Sequence, residues 1–191
     1  YSPKKPGRRR GTRPSRIGNC DWLGFVERNT HMVARQLQIK TGSVKPRWPD
    51  FHHTGPSTLA GRYMRMFWQP VHHSDDLPTG RAKPIKIMNV EYALYRSDDG
   101  QPHLVDARCP HRGMHLAPGW VEGNCIRCYY HGWKFDASGQ CLEQPAEPKS
   151  FADKVRIRSY SCHDYLGLVF AYLGEEDPPP LPRFYEFEEF E

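Results

Sequence analysis

Short alternating runs of apolar and polar residues, each closed by a turn signal, fill the chain from Pro84 onward. Ile85-Lys86-Ile87-Met88 and Tyr92-Ala93-Leu94-Tyr95 carry the two-residue period of strands. Ser97-Asp98-Asp99-Gly100 then makes a turn, with Gly free to take positive φ, and closes a hairpin onto His103-Leu104-Val105. A second hairpin runs in along residues 125–129 and out along Trp133-Lys134-Phe135. The turn Ala137-Ser138-Gly139 leads into a strand at 140–143, and Lys154-Val155-Arg156-Ile157-Arg158 and residues 167–172 complete the set. Many short antiparallel strands with turns between them predict an all-β sandwich or small barrel, without internal repeats.

Before this β region, Gly55-Pro56-Ser57-Thr58 opens a short helix capped by Ser57 or Thr58. Leu59, Tyr63, Met66 and Phe67 fall on one face at helical spacing and read as core packing, while Gly61 limits the helix to two or three turns. Pro70 is expected to stop this helix or the strand-like Phe67-Trp68-Gln69 after it. The histidine pairs 52/53 and 72/73 read as surface residues of polar, proline-flanked loops. His163-Asp164 reads as a turn before the last strand. The pattern divides the chain into an extension (1–54), a β domain (55–177) and an acidic, proline-stiffened exit (178–191).

Composition agrees with short elements: hydrophobic residues make up only 38%, beside eighteen prolines and sixteen glycines. A length of 191 residues suffices for one domain with a real core plus tails. The longest apolar run, 166–173, is far too short to cross a bilayer. Nothing resembles a secretory signal, and six scattered cysteines do not form a disulfide framework, so a reducing cytoplasm is expected. The net charge of +5 is unevenly spread: residues 1–50 hold twelve Lys/Arg and three Asp/Glu, leaving fifteen and nineteen in the rest. The first fifty residues thus carry +9 and the remainder −4. Lys4-Lys5 and Arg8-Arg9-Arg10 have the charge to bind nucleic acid or an acidic partner, but a solvated, disordered tail is the simpler reading. An Arg-rich, acid-poor start also fits an organellar transit segment, or an extension upstream of a start at Met32. No nucleic-acid or membrane partner is expected for the domain.

The candidate chemistry sits on the two hairpins. Cys109-Pro110-His111 is a C-x-H pair, and after a gap of sixteen residues Cys128-Tyr129-Tyr130-His131 is a C-x-x-H pair. Neither pair can wrap a metal alone, so the loops must meet. A 2Fe–2S cluster suits the layout, thiolates Cys109 and Cys128 on one iron and imidazoles His111 and His131 on the other. A structural zinc site is the alternative, since Cys125-Ile126-Arg127-Cys128 is itself a C-x-x-C pair, although C-x-H is tighter than zinc knuckles use.

This spacing, with C-P-H-R-G and the closing Y-H-G-W, resembles a Rieske cluster-binding domain. The resemblance implies a Rieske-type antiparallel sandwich with two cluster-binding hairpin loops at its tip, Cys109 and Cys128 on the buried iron, and His111 and His131 on the outer one. Rieske proteins of the cytochrome complexes add a disulfide between the loops and a serine after the second histidine. Here those places hold Met114, Tyr130 and Trp133, which implies a lower reduction potential. Gly61-Arg62-Tyr63, Phe67-Trp68-Gln69-Pro70-Val71, Y-H-G-W-K-F-D, Gln144-Pro145-Ala146-Glu147-Pro148 and Leu181-Pro182-Arg183-Phe184 further resemble the oxygenase component (large subunit) of phthalate-dioxygenase-like Rieske non-haem iron enzymes, over about residues 55–191.

That resemblance implies an oxidoreductase component fed with NAD(P)H electrons by a reductase or ferredoxin. The electrons would pass to a mononuclear Fe(II) that drives O₂-dependent hydroxylation or O-demethylation of an aromatic small molecule, commonly in a homotrimer. The family's ferrous site follows the Rieske domain, yet His163 is the only histidine after His131, and no His pair with a nearby carboxylate follows the cluster motif. The mononuclear iron is therefore expected in the full-length protein and not in this chain, with 178–191 as a linker toward a catalytic domain. A stand-alone Rieske-type ferredoxin is the alternative.

Overall fold

The computed structural model describes residues 51–189, so the readings of a disordered basic tail, a transit segment or a start at Met32 lie outside the described residues. The core is organised by a hairpin, β3 (Val90–Arg96) with β4 (Pro102–Asp106), that is buried on both faces. Alternation sends Tyr92, Leu94 and Leu104 into one apolar cluster and Ala93, Tyr95 and Val105 into another. Tyr95, Leu94, Ala93 and Val105 are all fully buried, so the hairpin is a wall between two cores. Its turn is closed by Gly100 N–H donating to Ser97 O, with Gly100 at φ +85°.

Each side of the wall carries its own sheet. The central sheet runs β2 (Ala82–Ile87), β3, β4, β9 (Ser159–Tyr160). Behind the cluster of Tyr92, Leu94 and Leu104 lies a three-stranded sheet of β1 (Trp68–His73), β11 (Leu168–Tyr172) and β10 (Cys162–Tyr165), which contributes Val169 and Ala171. On the other side a four-stranded sheet of β5 (Trp120–Glu122), β6 (Cys125–Arg127), β7 (Lys134–Phe135) and β8 (Cys141–Glu143) contributes Ile126 and Phe135. All strand pairs are antiparallel, so the all-β expectation holds, as three small sheets.

Several local expectations are corrected. The helix α1 (Leu59–Arg65) forms with Thr58 as its cap, the hydroxyl accepting from Gly61 N–H. Its buried residues are Ala60, Gly61 and Arg65, whereas Tyr63 of the supposed core stripe is 48% exposed. Arg65 turns inward because its guanidinium donates to the carbonyls of Thr54, Gly61 and Met88. Pro70 does not stop β1; it is exposed, and the register shifts just beyond it. His72 and His73 consequently lie on β1 and not in a loop. His163-Asp164 belongs to β10, paired with Phe170 and Val169, and the turn falls at Leu166-Gly167, both at positive φ.

Residues 154–158 make no continuous strand. Ala152–Lys154 is a 3-10 turn, and the hydrogen bonds of the segment then split between two partners. Val155 O accepts from Cys141 and Ile157 N–H donates to Gly139 O, but Arg158 O accepts from Asp106. After Tyr172 the chain is irregular until a short helix α2 (Tyr185–Glu188), and Pro179 O accepts from the indole of Trp68. Among the described residues no helix is long and apolar enough to cross a membrane.

Gly61 offers a test of this packing. In an ordinary helix Gly→Ala stabilises by about 1 kcal/mol. Here a Cβ would stand 2.0 Å from Gly55 O and 2.5 Å from Thr54 O, both backbone atoms. Gly61→Ala should therefore destabilise, by about 1–3 kcal/mol as overpacking does. Thermal or urea unfolding would show it, and a raised melting temperature would refute the close approach.

Candidate metal centre

The two Cys/His loops are built on one backbone plan. In the first, Cys109 N–H donates to Met114 O (2.8 Å) and Gly113 N–H to Cys109 O (2.9 Å). In the second, Cys128 N–H donates to Trp133 O (2.8 Å) and Gly132 N–H to Cys128 O (3.1 Å). Each loop needs a residue at positive φ four places after its cysteine, and glycine supplies it: Gly113 at +70° and Gly132 at +73°. The histidine lies inside the turn both times, at the second position after Cys109 and the third after Cys128.

Packing brings the loops together. Cys109 and Cys128 are 1% and 2% exposed and share the apolar cluster of Leu116, Ile126 and Phe135. Burial first, with the neighbouring Cys128 adding to it, pushes the Cys109 thiol up to about 12. The rings of His111 and His131 stand 4.6 Å apart, centroid to centroid. His111 also stacks on Trp133 at 4.7 Å and 4°, and His131 lies against Tyr130 at 3.9 Å. Desolvation, then the neighbouring His111 and Arg112, lowers the His131 pKa.

These residues fit a cluster of two metals. Two buried adjacent thiols resist ionisation alone, and a bound metal cation is what makes thiolates stable there. Two imidazoles at the same place offer lone pairs to a metal. Trp133 Nε1, beside His111, is a buried donor with no partner among the described residues. Among the described residues no three His, Cys, Asp or Glu gather as around a single ion, and the four form a pair of cysteines and a pair of histidines. Cys125, only part-buried on β6, and His115, whose Nδ1 accepts from Ala117 N–H, lie outside these pairs.

Residues that the sequence pattern did not single out hold the loops. Arg127, just before Cys128, donates from Nη1 to Gly132 O at 2.9 Å, and pairs through Nε and Nη2 with Glu122 (2.8 and 2.9 Å) and through Nη2 with Glu143 (2.8 Å). Lys134 meets the same two carboxylates at 3.2 and 3.5 Å. Arg108 occupies the matching place before Cys109, but its contact to Gly113 O is 3.4 Å and its side chain is 59% exposed. Glu147 also comes into the site, its Oε1 3.8 Å from His111 Nε2. The one sequence signal for the Arg127 network was the cross-strand charge pattern Glu122, Arg127, Lys134, Glu143, which becomes legible only once the register of β5–β8 is known.

Matched loops, each bringing a buried thiol and an imidazole to one place in an all-β domain, define a Rieske-type iron–sulfur domain. The chain belongs to that family: residues 67–161 match the Rieske [2Fe-2S] domain. It is 40% identical over 138 residues to the 5,5'-dehydrodivanillate O-demethylase oxygenase subunit of Sphingobium sp. (strain NBRC 103272 / SYK-6), covering 70% of this chain and 32% of that protein. It is 40% identical over 146 residues to the phenoxybenzoate dioxygenase subunit alpha of Ectopseudomonas oleovorans, covering 75% and 36%. Among solved structures, the reduced complex between oxygenase and ferredoxin in carbazole 1,9a-dioxygenase matches with a TM-score of 0.55 and 29% identity, over 61% of this chain and 32% of that one. The chain spans about a third of the length of the curated relatives it matches.

The Arg127 network predicts a pH dependence. Its hydrogen bond from Arg127, with Lys134 helping, holds the Glu122 carboxyl down at about 2 from an ordinary 4.5. A depressed folded-state pKa contributes stability that is full above 4.5 and is lost as pH falls toward 2. Glu122→Gln should therefore flatten the drop in melting temperature between pH 4.5 and 2. The carboxylate is 41% exposed, so its pairs contribute less than about 1 kcal/mol each at neutral pH, a few degrees at most. Thermal melts of both proteins across that range check it; identical slopes would refute the coupling.

Proposed function

We propose that this chain is the N-terminal electron-transfer part of a cytoplasmic Rieske non-haem iron oxygenase. In this reading it receives NAD(P)H-derived electrons from a reductase or ferredoxin and delivers them toward a mononuclear iron. The longer protein then hydroxylates or O-demethylates an aromatic substrate with O₂, as a homotrimer. One observation carries the reading: two separate loops place the buried thiols of Cys109 and Cys128 together and the rings of His111 and His131 4.6 Å apart. Relatives named as oxygenase subunits support it over a free-standing ferredoxin, and a neighbour solved with ferredoxin supports the class of electron donor.

Cys109 and Cys128 would hold one iron of the cluster, and His111 and His131 the other. When bound, the cluster supplies a one-electron store. The protein's share of the work is to keep both sulfurs dry, to fix the imidazoles by Trp133 and Tyr130, and to leave their edge near the surface where electrons leave. After His131 the sequence holds a single histidine, His163, whose ring lies 5.2 Å from that of Trp68 on β1. A mononuclear oxygenase iron uses two histidines and a carboxylate. This reading therefore assigns that iron to a part of the protein other than these 191 residues.

Three measurements test the proposal. Reconstitution with iron and sulfide should give a brown protein with two irons per chain. Cys109→Ser or Cys128→Ser should abolish the colour and Cys125→Ser should keep it, whereas a colourless protein holding one zinc would overturn the cluster. Redox titration should give a potential in the lower part of the Rieske range of about −150 to +300 mV, because Met114, Tyr130 and Trp133 stand where a disulfide and a serine would raise it. Finally, the reconstituted chain should accept electrons from a reductase yet form no product from aromatic acids, even with added ferrous iron. Iron-dependent product formation would reveal a mononuclear site within it.

A further inference from the structure

Glu147 is none of the four ligands, yet the fold carries it to one of them. It lies on the connection between β8 and the 3-10 turn, and that connection is tied down at both ends. Gln144, 5% exposed, accepts at Oε1 from Phe151 N–H (2.8 Å) and Ser150 Oγ–H (3.3 Å), and its carbonyl accepts from Glu147 N–H (3.1 Å). Phe151 packs edge-on against Trp133 with centroids 5.6 Å apart. Pro145 covers the second ligand loop so closely that a Cβ on Gly132 would stand 3.3 Å from its Cγ. A connection fastened to the second loop thus holds a carboxylate over the histidine of the first.

Glu147 Oε1 lies 3.8 Å from His111 Nε2, an electrostatic contact rather than a hydrogen bond. The two side chains are 24% and 18% exposed, so salt screens the contact only in part. His111 is thereby held between the indole of Trp133 on its face and a carboxylate at its ring nitrogen. A carboxylate beside a metal-bound imidazole orients the ring and raises its donor strength, which favours the oxidised metal. Its negative charge opposes the arrival of an electron, so both effects lower the reduction potential.

Resting on the cluster reading above, we infer that Glu147 is a positioning residue that lowers the reduction potential of the cluster through His111. The test is a dithionite titration, followed by visible absorption, of the reconstituted full chain and three variants. Glu147→Gln keeps the shape and removes the charge, and should make reduction about tenfold more favourable, a rise of about 59 mV for a one-electron couple. Glu147→Asp, with the charge kept on a shorter reach, should fall between Glu147→Gln and wild type. Lys149→Gln removes an exposed charge from the same connection and should leave the potential unmoved. A coloured wild type and a coloured Glu147→Gln with equal potentials would overturn the inference and leave the cluster standing. A Lys149→Gln shift as large as that of Glu147→Gln, in the opposite direction, would also overturn it, by showing a general field rather than a contact. A wild type that takes up no iron and sulfide would overturn the cluster reading and this inference together.

Discussion

Two thiols side by side in an apolar core resist ionisation unless a cation joins them, and the rest of the domain follows from the need to bring them there. Cys109 and Cys128 come from loops that are distant in sequence and too short to enclose anything singly. Burial holds both below 3% exposure, where a lone thiolate is costly and a metal-bound one is not. The β3–β4 wall supplies one side of that core through Ala93, Tyr95 and Val105, and the sheet β5–β8 supplies the other through Ile126 and Phe135. The second core, behind the wall, contains neither of these cysteines: it fixes the wall and leaves the chemistry to the first.

Backbone symmetry and side-chain asymmetry then divide the labour. Both loops use the same pair of hydrogen bonds around a glycine at positive φ, and both have an arginine just before the cysteine. Only Arg127 is part-buried and clasped by two carboxylates, so its grip on Gly132 O is the firmer of the two. Arg108 is exposed and mainly serves Glu91. The second loop is thus fixed from beneath by charge, and the first is fixed from above by the stacking of His111 on Trp133.

What the residue pattern revealed, and what it hid, follows from this division. The two Cys/His loops, the hairpin turns at Gly100 and Gly139, and the strands of the central wall were legible because each is local: a two-residue period or a required positive φ. The tilt of α1 was not, because the buried Ala60, Gly61 and Arg65 owe their place to carbonyls of Thr54, Gly55 and Met88 that no helical period encodes. The strand β10 escaped notice because His163 and Asp164 are exposed and polar; Asp164 is drawn in by Arg96 and Ser74, a partnership across the fold. The alternation of residues 154–158 misled for the converse reason, since its hydrogen bonds are shared between two partners and form no ladder.

Trp133 shows how one side chain joins these levels. It ends the second loop, its carbonyl accepting from Cys128 N–H, yet its ring belongs to the first loop through His111. Its own far side is braced by Phe151, from the connection that carries Glu147. An indole here fills space that a serine would leave open, keeping water from the inner face of His111 while Glu147 stands at the ring's nitrogen. The histidine's surroundings are therefore apolar on one side and negative on another. Both conditions oppose an added electron, the first by withholding solvation from the more negative state and the second by direct repulsion. In the proposed reading a low potential is thus a property of the loop packing, set by residues that need never touch a metal.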